Sequence, residues 1–378
     1  MFYLAILISK VTHFLTNLLK VGSGYTFPGY IVLNIYPNIL RSKKIKFPKG
    51  LVIISGTNGK TTTAKLVTHV LEKKGIKVVH NKSGSNLLRG IVSAILLDRD
   101  IFGKTKSLAG VFEVDEFSLP LLLKQLTPDV LVLLNLSRDQ LDRYGEVDIV
   151  LDKWKKAVSS LSPSCTLVID STQERFKDFS KIFRGKTLPF DADSVCLKKT
   201  CLVGDFNAKN VSAAIETARA LGFEKKEALE NLENFEVAYG RGEEIAFGKK
   251  TLHIFLAKNP ASFNNNLDLL IKKEVDAPTL LFVLNDNIPD GRDVSWIYDI
   301  NPEKLYKACS GKKIFVSGKR YLDMAVRLSY AGIEVEGKNL KKNLKSALSE
   351  MPGESTIVLP NYSAMLDTRK ILTGRKIL

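Results

Sequence analysis

The chain has 378 residues, 45% hydrophobic and 25% charged, an ordinary globular balance long enough for two domains. Its net charge of +16 favours an anionic partner: a nucleotide, a polyanionic substrate or an anionic membrane surface. The basic residues are spread along the chain without an aromatic–basic RNA-binding signature, so no nucleic-acid partner is expected. The four cysteines (Cys165, Cys196, Cys201 and Cys309) form no C-x-x-C pair, so a zinc site is not indicated, and they are too sparse for a disulfide scaffold, which favours a reduced, cytoplasmic setting.

The N-terminal stretch MFYLAILISKVTHFLTNLLK has no basic n-region and no A-x-A site. Lys10, His13 and Asn17 interrupt it before the ~20 apolar residues that a bilayer span needs. It reads as an amphipathic helix that packs on the protein or lies peripherally at a membrane surface, packing being the expected use. Gly22, Gly24, Pro28 and Gly29 then mark loops.

Residues 51–63, LVIISGTNGKTTT, read as an apolar strand, a glycine-bounded loop and a helix start. Gly56 and Gly59 allow the backbone N–H groups of Thr57 and Asn58 to approach an anion. Lys60 adds a point charge for the terminal phosphates, and Thr61, followed by Thr62, offers a hydroxyl suited to Mg²⁺. The loop is shorter than the standard P-loop, whose first glycine would fall at Ile54. The helix runs from Thr61 to about Lys74. A strand at 77–80, a polar loop at 81–90 and a helix at 91–97 follow.

Residues 109–114 form a strand ending in E-V-D-E, where ligands bind in open α/β sheets. Glu113 is the first choice for holding Mg²⁺, with Asp115 and Glu116 next. The apolar run 129–134 suggests a strand buried on both faces; it ends in N-L-S-R-D-Q-L-D-R-Y-G-E. A helix to about Leu161 and a strand at 166–170 continue the alternation of a doubly wound sheet. Residues 171–200 read as irregular peripheral structure. Then L-V-G-D-F-N-A-K-N opens a helix at 211–221, with Asn207 and Asn210 three apart on its first turn. Their amides suit an adenine edge, while N-capping competes for Asn207.

V-A-Y-G-R-G-E-E presents the glycine-flanked Arg241 where one α/β unit ends and another begins. Strands near 251–256, 279–284, 313–317 and 355–359 build the second unit. Its polar loops A-K-N-P-A-S-F-N, containing Lys258, and N-D-N-I-P-D-G-R-D-V-S-W-I-Y-D stand at strand exits. The expected division is 1–48 as an N-terminal helix and substrate-side segment, 49–240 as a central ATP-binding domain, and 241–378 as a C-terminal domain.

GTNGKTTT, E-V-D-E, N-L-S-R-D-Q-L-D-R-Y-G-E and G-D-F-N-A-K-N together resemble the central ATPase domain of Mur ligases. Gln140 stands where most of them carry histidine. That change, with S-G-Y-T-F-P-G, F-L-A-K-N-P-A-S-F-N and the Asp-rich loop, is similar to the MurT type, the ligase-like subunit of lipid II isoglutaminyl synthase. The resemblance implies a P-loop Mur ligase-type α/β domain with a smaller Rossmann-like α/β domain. It implies ATP on Gly56–Thr61, Mg²⁺ on Thr61 and Glu113, and amidation of a D-glutamate α-carboxylate in lipid II through an acyl phosphate. Lys60 and Arg241 would stabilise the transferring phosphoryl group, and Asn207 would read adenine. Ammonia would come from a GatD-type glutamine amidotransferase, whose Cys–His site an aspartate among Asp290, Asp293 and Asp299 would complete. The four-cysteine zinc ribbon of the family, expected within 171–200, lacks its cysteines, so no zinc is expected. A Mur or folylpolyglutamate-type ligase adding an amino acid, and a non-catalytic nucleotide-binding scaffold, are the rival readings.

Overall fold

The computed structural model describes residues 1–19, 25–81, 85–137, 147–195, 197, 200, 202–233, 235 and 239–374. The R-D-Q-L-D-R-Y-G-E motif with Gln140, and Cys196 and Cys201, lie outside them.

Two six-stranded sheets organise the described residues. The first contains β1 (Leu51–Ser55), β2 (Val78–His80), β3 (Ala109–Val114), β4 (Val130–Leu133), β5 (Thr166–Asp170) and β6 (Lys186–Phe190), all parallel, in the order β2-β3-β1-β4-β5-β6. Every residue of β1, β3 and β4 is buried, because helices cover both faces of a parallel sheet. Each fully buried Leu, Ile or Val contributes roughly 1.5–3 kcal/mol. The chain leaves β3 on one side of β1 and enters β4 on the other, so winding reverses beside β1 and opens a crevice at the strands' carboxyl ends.

The second sheet contains β7 (Arg241–Phe247), β8 (Lys250–Phe255), β9 (Thr279–Val283), β10 (Lys313–Ser317), β11 (Leu340–Lys341) and β12 (Ser355–Pro360). Its order is β11-β10-β9-β12-β8-β7, parallel except for the antiparallel edge strand β7. β6 corrects the expectation of irregular structure between 171 and 200. Its sequence KTLPF is a half-exposed edge, so it lacks the apolar run that marks a central strand. β7 is likewise a partly exposed edge with charged residues, which hides it from hydrophobic patterning.

At the N-terminus, α1 (Phe2–Leu18) and α2 (Phe27–Ile35) pack on the first unit, and Phe2, Ala5, Ile6 and Val32 enter its core. α3 (Lys60–Lys73) begins directly at the P-loop, and α4 (Leu88–Leu97) lies beneath α1 and α2. The helix after the G-D-F-N motif spans Asp205–Ala220, starting earlier than expected because Gly204 is its N-cap. Phe206 from its first turn packs against the core of the second unit.

Candidate active site

Gly56 and Gly59 have φ of 149° and 89°, and a Cβ at Gly59 would sit 2.3 Å from Asn210 Oδ1. Only glycine meets both demands, so the loop can wrap closely around an anion at the start of α3. Asn135, just beyond β4, braces the loop: its Oδ1 accepts from Asn58 N (2.9 Å) and its Nδ2 donates to Asn58 O (2.9 Å). Thr57 N donates to Asn135 O, and Thr57 Oγ1 accepts from Ser137 N.

Lys60 is buried. Its Nζ donates to Gly56 O, to Thr57 O (3.3 Å) and to Glu116 Oε2 (3.1 Å). Thr61 Oγ1 donates to Glu113 Oε2 at 2.7 Å. Of the three acids in E-V-D-E, Glu113 therefore meets the threonine, Glu116 meets the lysine, and Asp115 caps the next turn by accepting from Phe117 N. Burial pushes the Glu113 carboxyl above its ordinary pKa; the Thr61 hydrogen bond and the charges of Lys60, Arg241 and Lys258 oppose this. Burial also lowers Arg241, and Glu113 opposes that shift. Three cations from distant parts of the chain thus act on one carboxylate.

Glu113 is held by a residue that patterning did not single out. Asn81 follows β2, where the ladder to β3 ends, and its carboxamide replaces the missing peptide: Oδ1 accepts from Glu113 N (3.0 Å) and Nδ2 donates to Glu113 O (2.8 Å). Only its position just past a strand end hinted at this.

A cavity of about 380 Å³ adjoins the loop, within the size range of ligand sites. Asn58, Gly59, Thr62, Asn207 and Asn210 line one side, and Arg241 with the helix Pro260–Ile271 lines the other. Asn207 is not the N-cap: its Nδ2 donates to Val203 O (2.8 Å) and its Oδ1 accepts from Asn210 Nδ2 (3.2 Å). Across the gap Asn58 and Asn259 exchange hydrogen bonds of 3.4 and 3.2 Å. Asn259 also caps Pro260–Ile271 by accepting from Ser262 N (2.9 Å), which fixes Lys258 beside the site.

The three aspartates of the C-terminal loop separate. Asp290 is buried and accepts from Ser363 N (3.0 Å) and Ser363 Oγ at the start of the helix Tyr362–Thr373. Burial raises its pKa. Burial raises the Tyr362 hydroxyl, and the charges of Glu113 and Asp290 add to this. Asp293 and Asp299 are exposed, Asp293 accepting from Ser295 N (2.7 Å). Cys165 and Cys309 are buried thiols, each pushed up to about 12, and stay protonated.

A glycine cradle that a Cβ would fill, next to hard oxygen donors on Thr61 and Glu113, fits a nucleotide phosphate with Mg²⁺. The Mur ligase middle domain model matches residues 54–195, and the MurT ligase C-terminal model matches 256–365. Among solved structures, MurF from Thermotoga maritima in complex with ADP has a TM-score of 0.68 at 16% identity, covering 89% of this chain and 82% of that one. The folylpolyglutamate synthase of the same organism has a TM-score of 0.62 at 14% identity, covering 92% and 93%. Fold and loop together define a Mur ligase-type protein. Within that class the chain is similar to the MurT type. It is 28% identical to the lipid II isoglutaminyl synthase (glutamine-hydrolyzing) subunit MurT of Staphylococcus aureus strain COL, over 90% of this chain and 91% of that protein. To the Streptococcus pneumoniae R6 subunit of the same name it is 26% identical, over 99% and 97%.

Proposed function

We propose that the chain is the ATP-dependent ligase subunit of a lipid II isoglutaminyl synthase. The observation that carries this is the convergence of Thr61, Lys60, Arg241 and Lys258 on Glu113 beside a glycine cradle, in a chain with a MurT-type C-terminal domain. ATP lies with its phosphates on Gly56–Thr61 and its base in the cavity beside Asn207 and Asn210. Thr61 and Glu113 hold Mg²⁺, which screens phosphate charge when bound. An oxygen of the D-glutamate α-carboxylate attacks the γ-phosphorus, the bond to ADP breaks, and an acyl phosphate forms. Ammonia then attacks the acyl carbon, gives up a proton, and expels phosphate to leave the isoglutamine amide. Lys60 and Arg241 stabilise charge on the transferring group. A GatD-type glutaminase supplies ammonia, and Asp290, Asp293 or Asp299 serves its site; exposure favours Asp293 and Asp299 for contact with another subunit.

In this reading the chain divides at 48/49 and 240/241, the second division being supported by the change of sheet there; the setting is cytoplasmic, with the substrate met at the inner membrane surface. No helix among the described residues is long and apolar enough to cross a membrane. The test is lipid II amidation by the chain reconstituted with a glutaminase subunit. Lys60→Ala is expected to abolish product; unchanged amidation would sink the reading. Turnover with free amino acids and no glutaminase would favour an amino-acid-adding ligase.

A further inference from the structure

α1 is turned inside out for a soluble helix. Its protein-facing side carries Phe2, Ala5 and Ile6 but also Ser9, Thr12 and Thr16. Its solvent side carries Tyr3, Leu4, Leu7, Val11, Phe14, Leu15 and Leu18, all exposed. At 100° per residue these occupy an arc of about 120°, the width of a face that would ordinarily be buried. The apolar surface continues. Gly103 lies against the Tyr3 ring, and next to it the turn tip exposes Ile101 (60%) and Phe102 (79%). α2 adds exposed Phe27, Tyr30 and Ile35.

The charge around this surface is mainly positive: the turn's two acids, Asp98 and Asp100, are half-buried and accept hydrogen bonds from Thr105, Ser107, Phe102 and Lys104 within the turn itself. Residues 1–50 contain seven Lys and Arg and no Asp or Glu. Lys43, Lys44, Lys46, Lys104 and Lys106 are exposed, and Lys44 Nζ sits 3.7 Å from the centre of the Tyr3 ring, placing a cation at the patch edge. An apolar helix face, an apolar turn tip and a rim of lysines match the interfacial region of an anionic bilayer: side chains enter the acyl boundary while ammonium groups meet phosphate headgroups.

We infer that the exposed face of α1, with Ile101 and Phe102, docks this protein on the surface of an anionic membrane. The placement suits the proposed function, which it extends by naming the surface that meets a lipid-linked substrate. α4 runs beneath α1 for ten residues, about 15 Å. Just before its start Asn86 O accepts from Asp115 N beside the catalytic acids, and just after its end the chain forms the Ile101–Phe102 turn. One rigid helix therefore sets the distance between bilayer surface and active site.

The test is flotation of the full chain with vesicles of phosphatidylcholine alone and of phosphatidylcholine with phosphatidylglycerol. The chain is expected to float with the anionic vesicles and to be released by high salt. The double variant Leu7→Glu/Phe14→Glu, and separately Phe102→Ser, should partition about tenfold more weakly, since each removes apolar contact from solvent-exposed positions that folding does not use. Equal flotation of wild type and variants would overturn the inference. So would concentration-dependent self-association, or association with a glutaminase subunit, that the same substitutions abolish while vesicle binding is absent. Mg-ATP binding, measured alongside, reports on the proposed function and is expected to be unchanged in all variants, so the two readings fail separately.

Discussion

Lys60 Nζ lies 3.1 Å from Glu116 Oε2, and both side chains are buried. The P-loop lysine is thus held by a carboxylate from the exit of β3. Trp154 Nε1 fixes that carboxylate's own backbone by donating to Glu116 O (2.8 Å). Removing one partner of a buried pair costs about 3–5 kcal/mol, because the other charge is left uncompensated. Glu116→Gln is therefore expected to lower Tm without nucleotide. Bound phosphate supplies the lost negative charge, so Mg-ATP should raise Tm more in the variant than in the wild type. Equal nucleotide-induced shifts in thermal melts would show that Lys60 does not exchange Glu116 for phosphate.

Asn81 should behave as a positioning residue for Glu113. Asn81→Ala removes both hydrogen bonds to the Glu113 backbone and leaves a buried N–H and C=O unpaired, at a cost of about 1–3 kcal/mol. Glu113 then loses its fixed approach to Thr61, and kcat is expected to fall about tenfold or more. KM for ATP should change far less, since the cradle itself does not touch Asn81. A drop in Tm with kcat intact would make Asn81 purely structural.

The split between what the sequence discloses and what it hides has a physical basis here. β3, β5 and β10 fall on the stretches their apolar runs mark, because central parallel strands are buried on both faces. The edge strands β6 and β7 carry no such run. In the site, Lys60, Thr61 and Glu113 are legible because phosphate chemistry demands those residue types next to a glycine loop. The supports are not. Asn81 on Glu113, Asn135 on Asn58 and Asn361 on Asn285 each use a carboxamide beyond a strand end to bracket the backbone of a neighbouring exit loop. That device depends on which strands are neighbours, and an isolated Asn in a sequence reads as a turn.

Gly59→Ala should cripple nucleotide binding for two separable reasons. A φ of 89° costs a side-chain-bearing residue about 1–2 kcal/mol, and its Cβ would collide with Asn210 Oδ1 at 2.3 Å. Adding Asn210→Ala removes the collision and leaves the backbone strain, and Asn210→Ala alone is the reference, since Asn210 also lines the nucleotide cavity. The double variant should recover only part of the affinity in calorimetric titration with Mg-ATP. Full recovery would mean that the backbone angle is not what the loop requires.

Asp290 gives the fold a pH dependence whose sign can be worked out. Burial raises its carboxyl above the ordinary 3.8; the Ser363 hydrogen bonds oppose this and Asp367 adds to it. The folded chain thus holds this proton more tightly than the unfolded chain. Its stabilising contribution is complete below 3.8 and is lost as pH rises through the raised value. Asp290→Asn stays neutral and keeps partners for Ser363, so its Tm should not show that decline. Parallel Tm curves for the two proteins between about pH 3.5 and 7 would refute the shift.

Asn58 and Asn259 join the phosphate loop to the second sheet's first helix by paired hydrogen bonds. The two residues can be tested apart. Asn259 caps its helix through Oδ1, so Asn259→Ala loses both cap and bridge, whereas Asn259→Asp keeps the cap acceptor and loses only the Nδ2 donor. Asn58→Ala loses only the bridge. The charges of Arg241 and Lys258 act on Glu113 from the C-terminal side, and their placement depends on how that side closes on the loop. Asn58→Ala and Asn259→Asp should therefore lower kcat about tenfold while Tm stays within about 1 kcal/mol equivalent of wild type. Nucleotide affinity, set mainly by the loop itself, should change little in Asn58→Ala, whereas the carboxylate that Asn259→Asp adds beside the loop should weaken it. If both variants retain full kcat, closure does not depend on this pair, and the cations must be positioned by the capped helix and β7 alone.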